Sequence, residues 1–137
     1  MAQQQDLEPC TYGFPADGPH LLAVGWLGNG HAFSKGKCEP AFVARLRELL
    51  KDAWAPIAFC GPHFCDLCPS PRRAGGVANL FVPGETAVFV APELIVHYIE
   101  THSYCPPLEF IAAVMACPPM NSPAFHSAIA RHYQPFK

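Results

Sequence analysis

Four side chains able to bind metal fall within nine positions in Cys60-Gly61-Pro62-His63-Phe64-Cys65-Asp66-Leu67-Cys68. Thiolate and neutral imidazole are the usual donors to zinc, and the two-residue gap between Cys65 and Cys68 lets both sulfurs reach one tetrahedral ion. Farther along, His97, His102 and Cys105 supply the further donors that a closed site needs. The chemistry implied is a bound Zn2+. Cys65 and Cys68 are the firmest ligands, and the remaining positions are open among His97, His63, His102 and Cys60. His63 joins only if its loop curls tightly around the ion. His97 and His102 are five apart, about 140° in azimuth on a continuous helix, so both can bind one ion only if the helix ends between them.

Competing chemistries fit less well. A redox Cys-x-x-Cys belongs at the start of a helix in a βαβ unit, whereas Pro69-Ser70-Pro71 follows Cys68 here. There is no His-Glu-x-x-His helix and no Gly-x-Ser-x-Gly elbow. His63-Phe64-Cys65 lacks the glutamate of the zinc deaminases. Glu93 precedes His97 by four residues, which on one helix makes it either an orienting partner or a base beside a metal-bound water. A dipole-favoured acid in a helix's first turn is the plainer reading. Asp66 reads as a solvated loop residue, and His20, His31, His126 and His132 as surface or capping groups.

These residues must be positioned by a single domain over residues 20–137, preceded by a loose polar arm at 1–19. The chain has 137 residues, 50% of them hydrophobic and 15% charged, a composition for a packed globule rather than a disordered chain. A formal net charge of −2 argues against a general phosphate-seeking surface, so bulk nucleic-acid binding is not expected. The expected partner is another protein or a small molecule. No apolar run approaches the ~18 residues of a membrane span. The start, Met1-Ala2-Gln3-Gln4-Gln5-Asp6, carries no secretory pattern. Seven cysteines cannot all pair, which with the missing leader points to a reducing cytoplasm.

Along the chain, His20–Leu27 reads as a strand ended by Gly28-Asn29-Gly30. Residues 40–54 read as a helix, with Pro40 at its first position and Phe42, Val43, Leu46, Leu49, Leu50 and Trp54 on the apolar side. Ile57–Phe59 is a short strand leading into the ligand cluster, and Pro69–Gly76 a loop. Val77–Val82 and Thr86–Val90 form a hairpin through Pro83-Gly84-Glu85. Helices follow from Pro92 to Thr101 and after Pro106-Pro107, the latter packed by Phe110, Ile111, Val114 and Met115. Ser122-Pro123 starts the last helix, packed by Phe125, Ile129 and Tyr133. The class is α+β, with three to four short, mostly antiparallel strands and about four helices.

The order Cys-x-x-Cys, hairpin, helix resembles the layout of treble-clef zinc fingers. It departs from them because His97 lies more than one turn inside its helix and has no second ligand three or four residues away. Further strings carry another resemblance: Ala23-Val24-Gly25-Trp26-Leu27, Gly61-Pro62-His63-Phe64-Cys65-Asp66-Leu67-Cys68, Ala91-Pro92-Glu93-Leu94-Ile95-Val96-His97-Tyr98-Ile99 and His102-Ser103-Tyr104-Cys105-Pro106-Pro107. Together these are similar to a family of small uncharacterised bacterial proteins. The resemblance implies no activity; it groups His63, Cys65, Cys68, His97 and His102 as one constellation. The leading expectation is a structural zinc in an interaction module. The rivals are a zinc hydrolase with an open coordination position and a thiol redox protein using Cys65 and Cys68.

Overall fold

In chain order the elements are β1 (Leu21–Ala23), α1 (Pro40–Lys51), β2 (His63–Phe64), β3 (Gly75–Gly76), β4 (Asn79–Pro83), β5 (Val88–Pro92), α2 (Ile95–His102), α3 (Leu108–Ala116) and α4 (Pro123–Ala130). The computed structural model describes residues 6–7, 21–28, 32–54, 63–65, 67–68, 75–76 and 79–132, with His63 described by its backbone alone. The strand read at Ile57–Phe59 and the contact read for Tyr133 lie outside these residues.

The main sheet has the order β1-β5-β4. Every residue of β5 is buried, as a central strand covered on both faces requires. β4 pairs antiparallel with it, Val82 opposite Phe89 and Leu80 opposite Ala91. The hairpin turn spans Gly84 to Ala87, one step past the reading: Pro83 still pairs with Val88, and Thr86 falls in the turn rather than in the second strand. Gly84 donates its N–H to Ala87 O at 2.8 Å, and a Cβ there would stand 2.8 Å from the Phe89 ring, so only glycine fits. The pairing runs on to Asn79 opposite Pro92, so β5 extends through the first residues read as helix, and α2 begins only at Ile95.

β1 joins the other edge of β5 in parallel, Leu21 opposite Val88. The expected α+β class with four helices is thus present among the described residues, on a sheet of mixed rather than uniform direction. Val24 continues the pairing by donating to Val90 O at 3.0 Å. At Gly25 the chain turns away with φ +79, and Trp26 Nε1 donates back to Val90 O at 2.8 Å.

Helices α1, α3 and α4 cover β4. In α1, Pro40 occupies the first turn, and Phe42, Leu46 and Leu49 are buried as their spacing requires. Phe110 of α3 meets Phe42 and Phe89 edge-on, while Trp54 meets Phe81 and Phe125 in the same way. Ser122 Oγ caps α4 by accepting the Phe125 N–H at 3.2 Å. Met115 departs from the sequence reading: it is 51% exposed, and Phe110 and Val114 carry the inner face of α3 without it. Asp6 and Leu7, from the span read as an arm, are tied to this core. Leu7 N–H donates to Ala23 O at 2.7 Å, and Asp6 accepts from Gly25 N–H at 3.0 Å and from the Tyr104 hydroxyl at 2.7 Å.

Candidate metal centre

Two structural units converge on the site. The first is the ribbon β2–β3, whose antiparallel register sets His63 opposite Gly76 and Phe64 opposite Gly75. These two-residue strands occupy stretches that the sequence reads as loops. Cys65 leaves β2 directly, and the chain turns through Leu67 and Cys68. Leu67 and Cys68 each donate a backbone N–H to the Cys65 sulfur. Paired amides aimed at one sulfur favour its anionic form, which is the form that binds a metal. Burial opposes them and is the larger influence, so the Cys65 thiol stands above its ordinary value in the absence of a cation.

The second unit is α2, which continues from the central strand after a two-residue turn. Val96, Tyr98, Ile99 and Ile95 are buried and fix the helix against the core, which leaves His97 and His102 half-exposed on the side of the cysteines. The helix does not end between the two histidines, the condition their spacing set for sharing one ion; it ends after His102. Ser103 takes the left-handed conformation at φ 59, and Tyr104 N–H closes back onto Tyr98 O at 3.1 Å. With His102 in the last helical position, the two long side chains reach toward each other across the 140°-type offset. Their ring centroids are 5.0 Å apart and the rings lie nearly perpendicular, at 79°.

The result is a quartet of Cys65, Cys68, His97 and His102 whose donor atoms all lie within 4.8 Å of one another. His97 Nε2 is 3.1 Å from Cys68 Sγ, and His102 Nε2 is 3.5 Å from Cys68 Sγ and 3.4 Å from Cys65 Sγ. Zinc bonds of about 2.3 Å to sulfur and about 2.0 Å to nitrogen, at tetrahedral angles, place S and N about 3.5 Å apart. The donor set and its spacing therefore fit a tetrahedral divalent ion. Nδ1 of His97 lies 3.3 Å from Thr101 Oγ1, so Nε2 is the nitrogen left for the centre. Burial, helped by the nearby His102 and opposed by Glu100, holds His97 below its ordinary value and keeps the imidazole neutral, as a ligand must be.

The other candidates sort differently. Cys60, Asp66 and the side chain of His63 lie outside the described residues. Cys105 is not in the quartet; its sulfur packs near Gly36. Glu93 is exposed and lies in the turn ahead of α2, so it does not share a helical face with His97 in the way its spacing suggests. Thr101, four residues after His97 rather than four before, is the partner that sequence reasoning missed. An Oγ one turn C-terminal to a ligand histidine was the signal available.

A family model described as a domain of unknown function (DUF7919) matches residues 2–115. The chain belongs to that family. The DUF7919 match takes in β1 through most of α3 and all four members of the quartet. No curated protein and no solved structure matches the chain. Membership in DUF7919 agrees with the resemblance to an uncharacterised family and names no activity.

Proposed function

We propose that this protein is a small zinc-binding interaction module in which Cys65, Cys68, His97 and His102 hold one structural Zn2+. The observation that carries the reading is the convergence of two sulfurs and two Nε2 atoms within 4.8 Å. Four protein donors fill a tetrahedral shell, which leaves no position for a water or a substrate. His63 and Cys60 are then not needed as ligands, and the hydrolase reading lacks its open site. The redox reading is disfavoured because histidine nitrogens surround both sulfurs, which makes them part of a four-donor cage rather than an isolated dithiol.

A structural ion here joins the β2–β3 ribbon to α2, and binding energy of that kind appears as folding energy. The module's partner is taken to be a protein or a small molecule. Phe64, next to Cys65 and 50% exposed, gives the face beside the centre an apolar anchor of the sort such contacts use. The test is metal analysis of protein purified without added metal, with thiols counted before and after chelation. One zinc per chain, with thiols released together on chelation, is the expected result. Metal-free protein with Cys65 and Cys68 titrating freely or joined as a disulfide would sink the proposal.

A further inference from the structure

A second thiol pair lies apart from the quartet. Residues 34–36 run antiparallel beside 103–105: Gly36 N–H donates to Ser103 O and Cys105 N–H donates to Ser34 O, each at 2.9 Å, and Lys35 bridges to Tyr104. The ladder sets Cys105 opposite Ser34, and Cys38 follows Gly36 just beyond its end. Cys38 Sγ is 3.9 Å from Tyr104 O, the carbonyl that leads into Cys105. Cys105 Sγ occupies space beside Gly36, 3.5 Å from where a Cβ on that residue would stand. Cys105 Sγ donates to Pro106 O at 3.8 Å, and the two thiols are close enough for Cys105 to act electrostatically on Cys38. Both residues are half-buried, and Cys38 opens onto a cleft of about 560 Å³ whose walls also carry Lys37 and the Arg47–Glu100 ion pair.

We propose that Cys38 and Cys105 form a reversible disulfide site, closed by exchange with a small anionic disulfide of the glutathione type. The cleft admits the reagent, and the Lys37 side of it suits a carboxylate-bearing molecule. One protein thiolate attacks a sulfur of the small disulfide, breaking its S–S bond and expelling one small thiolate, to leave a mixed disulfide. The second cysteine, giving up its proton, attacks the protein sulfur of that intermediate and expels the other small thiolate. Two protein thiols are oxidised, one small disulfide is reduced, and the two protons end on the released thiols. Burial, with Cys105 adding to it, pushes the Cys38 thiol up to about 11, so its thiolate fraction is small and the exchange is slow. The closed form ties the segment ahead of α1 to the turn after α2, across a loop of chain that contains all four members of the quartet. Closing so long a loop restricts the unfolded chain more than the folded one.

The experiment equilibrates the full reduced chain in mixtures of oxidised and reduced glutathione, traps free thiols by alkylation and maps a non-reduced digest by mass spectrometry. The expected product is a peptide pair joining Cys38 to Cys105, lighter by two hydrogens, which reopens in excess reduced glutathione. The joined protein melts at a higher temperature than the reduced one. Cys38→Ser and Cys105→Ser should each abolish that rise while melting like the reduced parent. Cys38 and Cys105 remaining alkylatable at every ratio would overturn the proposal. So would a bond from either residue to a different cysteine, or a glutathione adduct that never resolves. Because the digest reads the bond directly on the unmodified chain, a variant that failed to fold would not rescue or sink the result.

Discussion

Thr101 Oγ1 stands 3.3 Å from Nδ1 of His97, one helical turn along α2, while Nε2 of the same ring faces the Cys68 sulfur at 3.1 Å. With Nε2 turned to a cation, Nδ1 carries the ring proton and the hydroxyl is placed to accept it, which holds that tautomer. Thr101 is exposed, so its replacement by valine keeps the shape of the helix surface. Thr101→Val should weaken zinc binding by roughly tenfold, with a melting temperature of the metal-free protein close to the parent's. Competition against a chromophoric chelator measures this, and an unchanged affinity would show the hydroxyl to be incidental.

Metal removal should register as a loss of stability. At a free metal concentration about a thousand times Kd, binding to the folded state alone contributes about 4 kcal/mol. Urea curves with and without a strong chelator should separate by an amount of that order. Cys68→Ser should fall on the chelated curve whether or not zinc is added. Cys65→Ser should do the same, because a serine hydroxyl can accept the Leu67 and Cys68 N–H groups that the sulfur accepts, and only the ion is lost. Superimposable curves for the parent with and without chelator would refute the structural role.

Asp6 links stability to pH. Burial raises its carboxyl above the ordinary value, outweighing the Gly25 N–H and the Tyr104 hydroxyl that favour the ion. The folded state therefore holds this proton more tightly than the unfolded one. The contribution is fully present below the unfolded value of 3.8 and is lost as pH rises through the higher folded value. Asp6→Asn has no such dependence. The stability of the parent relative to Asp6→Asn should therefore decline as pH is raised across that window. Urea midpoints at a series of acidic pH values decide it, and a constant difference would remove Asp6 from the account.

Gly25 combines two constraints. Its φ of +79 is unfavourable for any residue with a side chain, and a Cβ would stand 3.1 Å from Cδ1 and Cγ1 of Ile95. Gly25→Ala should cost about 1–3 kcal/mol in stability. Ile95→Val in the same chain should recover part of this by withdrawing Cδ1. Thermal melts of the two variants test the pair, and additive losses would mean that the clash is not the cause.

Much of the framework was legible because local chemistry set it: Pro40 at the start of α1, Pro83-Gly84-Glu85 at the hairpin, Ser122 capping α4. The same holds for Cys65 and Cys68, whose gap alone implies a shared ion. What sequence spacing could not show was settled by long-range contacts. The parallel pairing of Leu21 with Val88 depends on tertiary packing and leaves no periodic signature. An ideal-helix azimuth separated His97 from His102, whereas imidazoles at the end of a helix reach farther than their Cα positions suggest. Cys105 looked like a donor for the first cluster, but the ladder with residues 34–36 sets it beside Gly36 instead.

The continuity of β5 with α2 gives the two halves of the quartet unequal independence. His97 and His102 ride on a helix that follows from the all-buried central strand, so the core orders them with or without a cation. Cys65 and Cys68 hang from strands of two residues each, whose own pairing holds little. In amide hydrogen exchange, β5 and α2 should open only with the whole protein, while the ribbon opens by a separate, cheaper route once the ion is gone. Assembly would then have a direction: the histidine arm stands ready first, and the cysteine arm is the part that is captured.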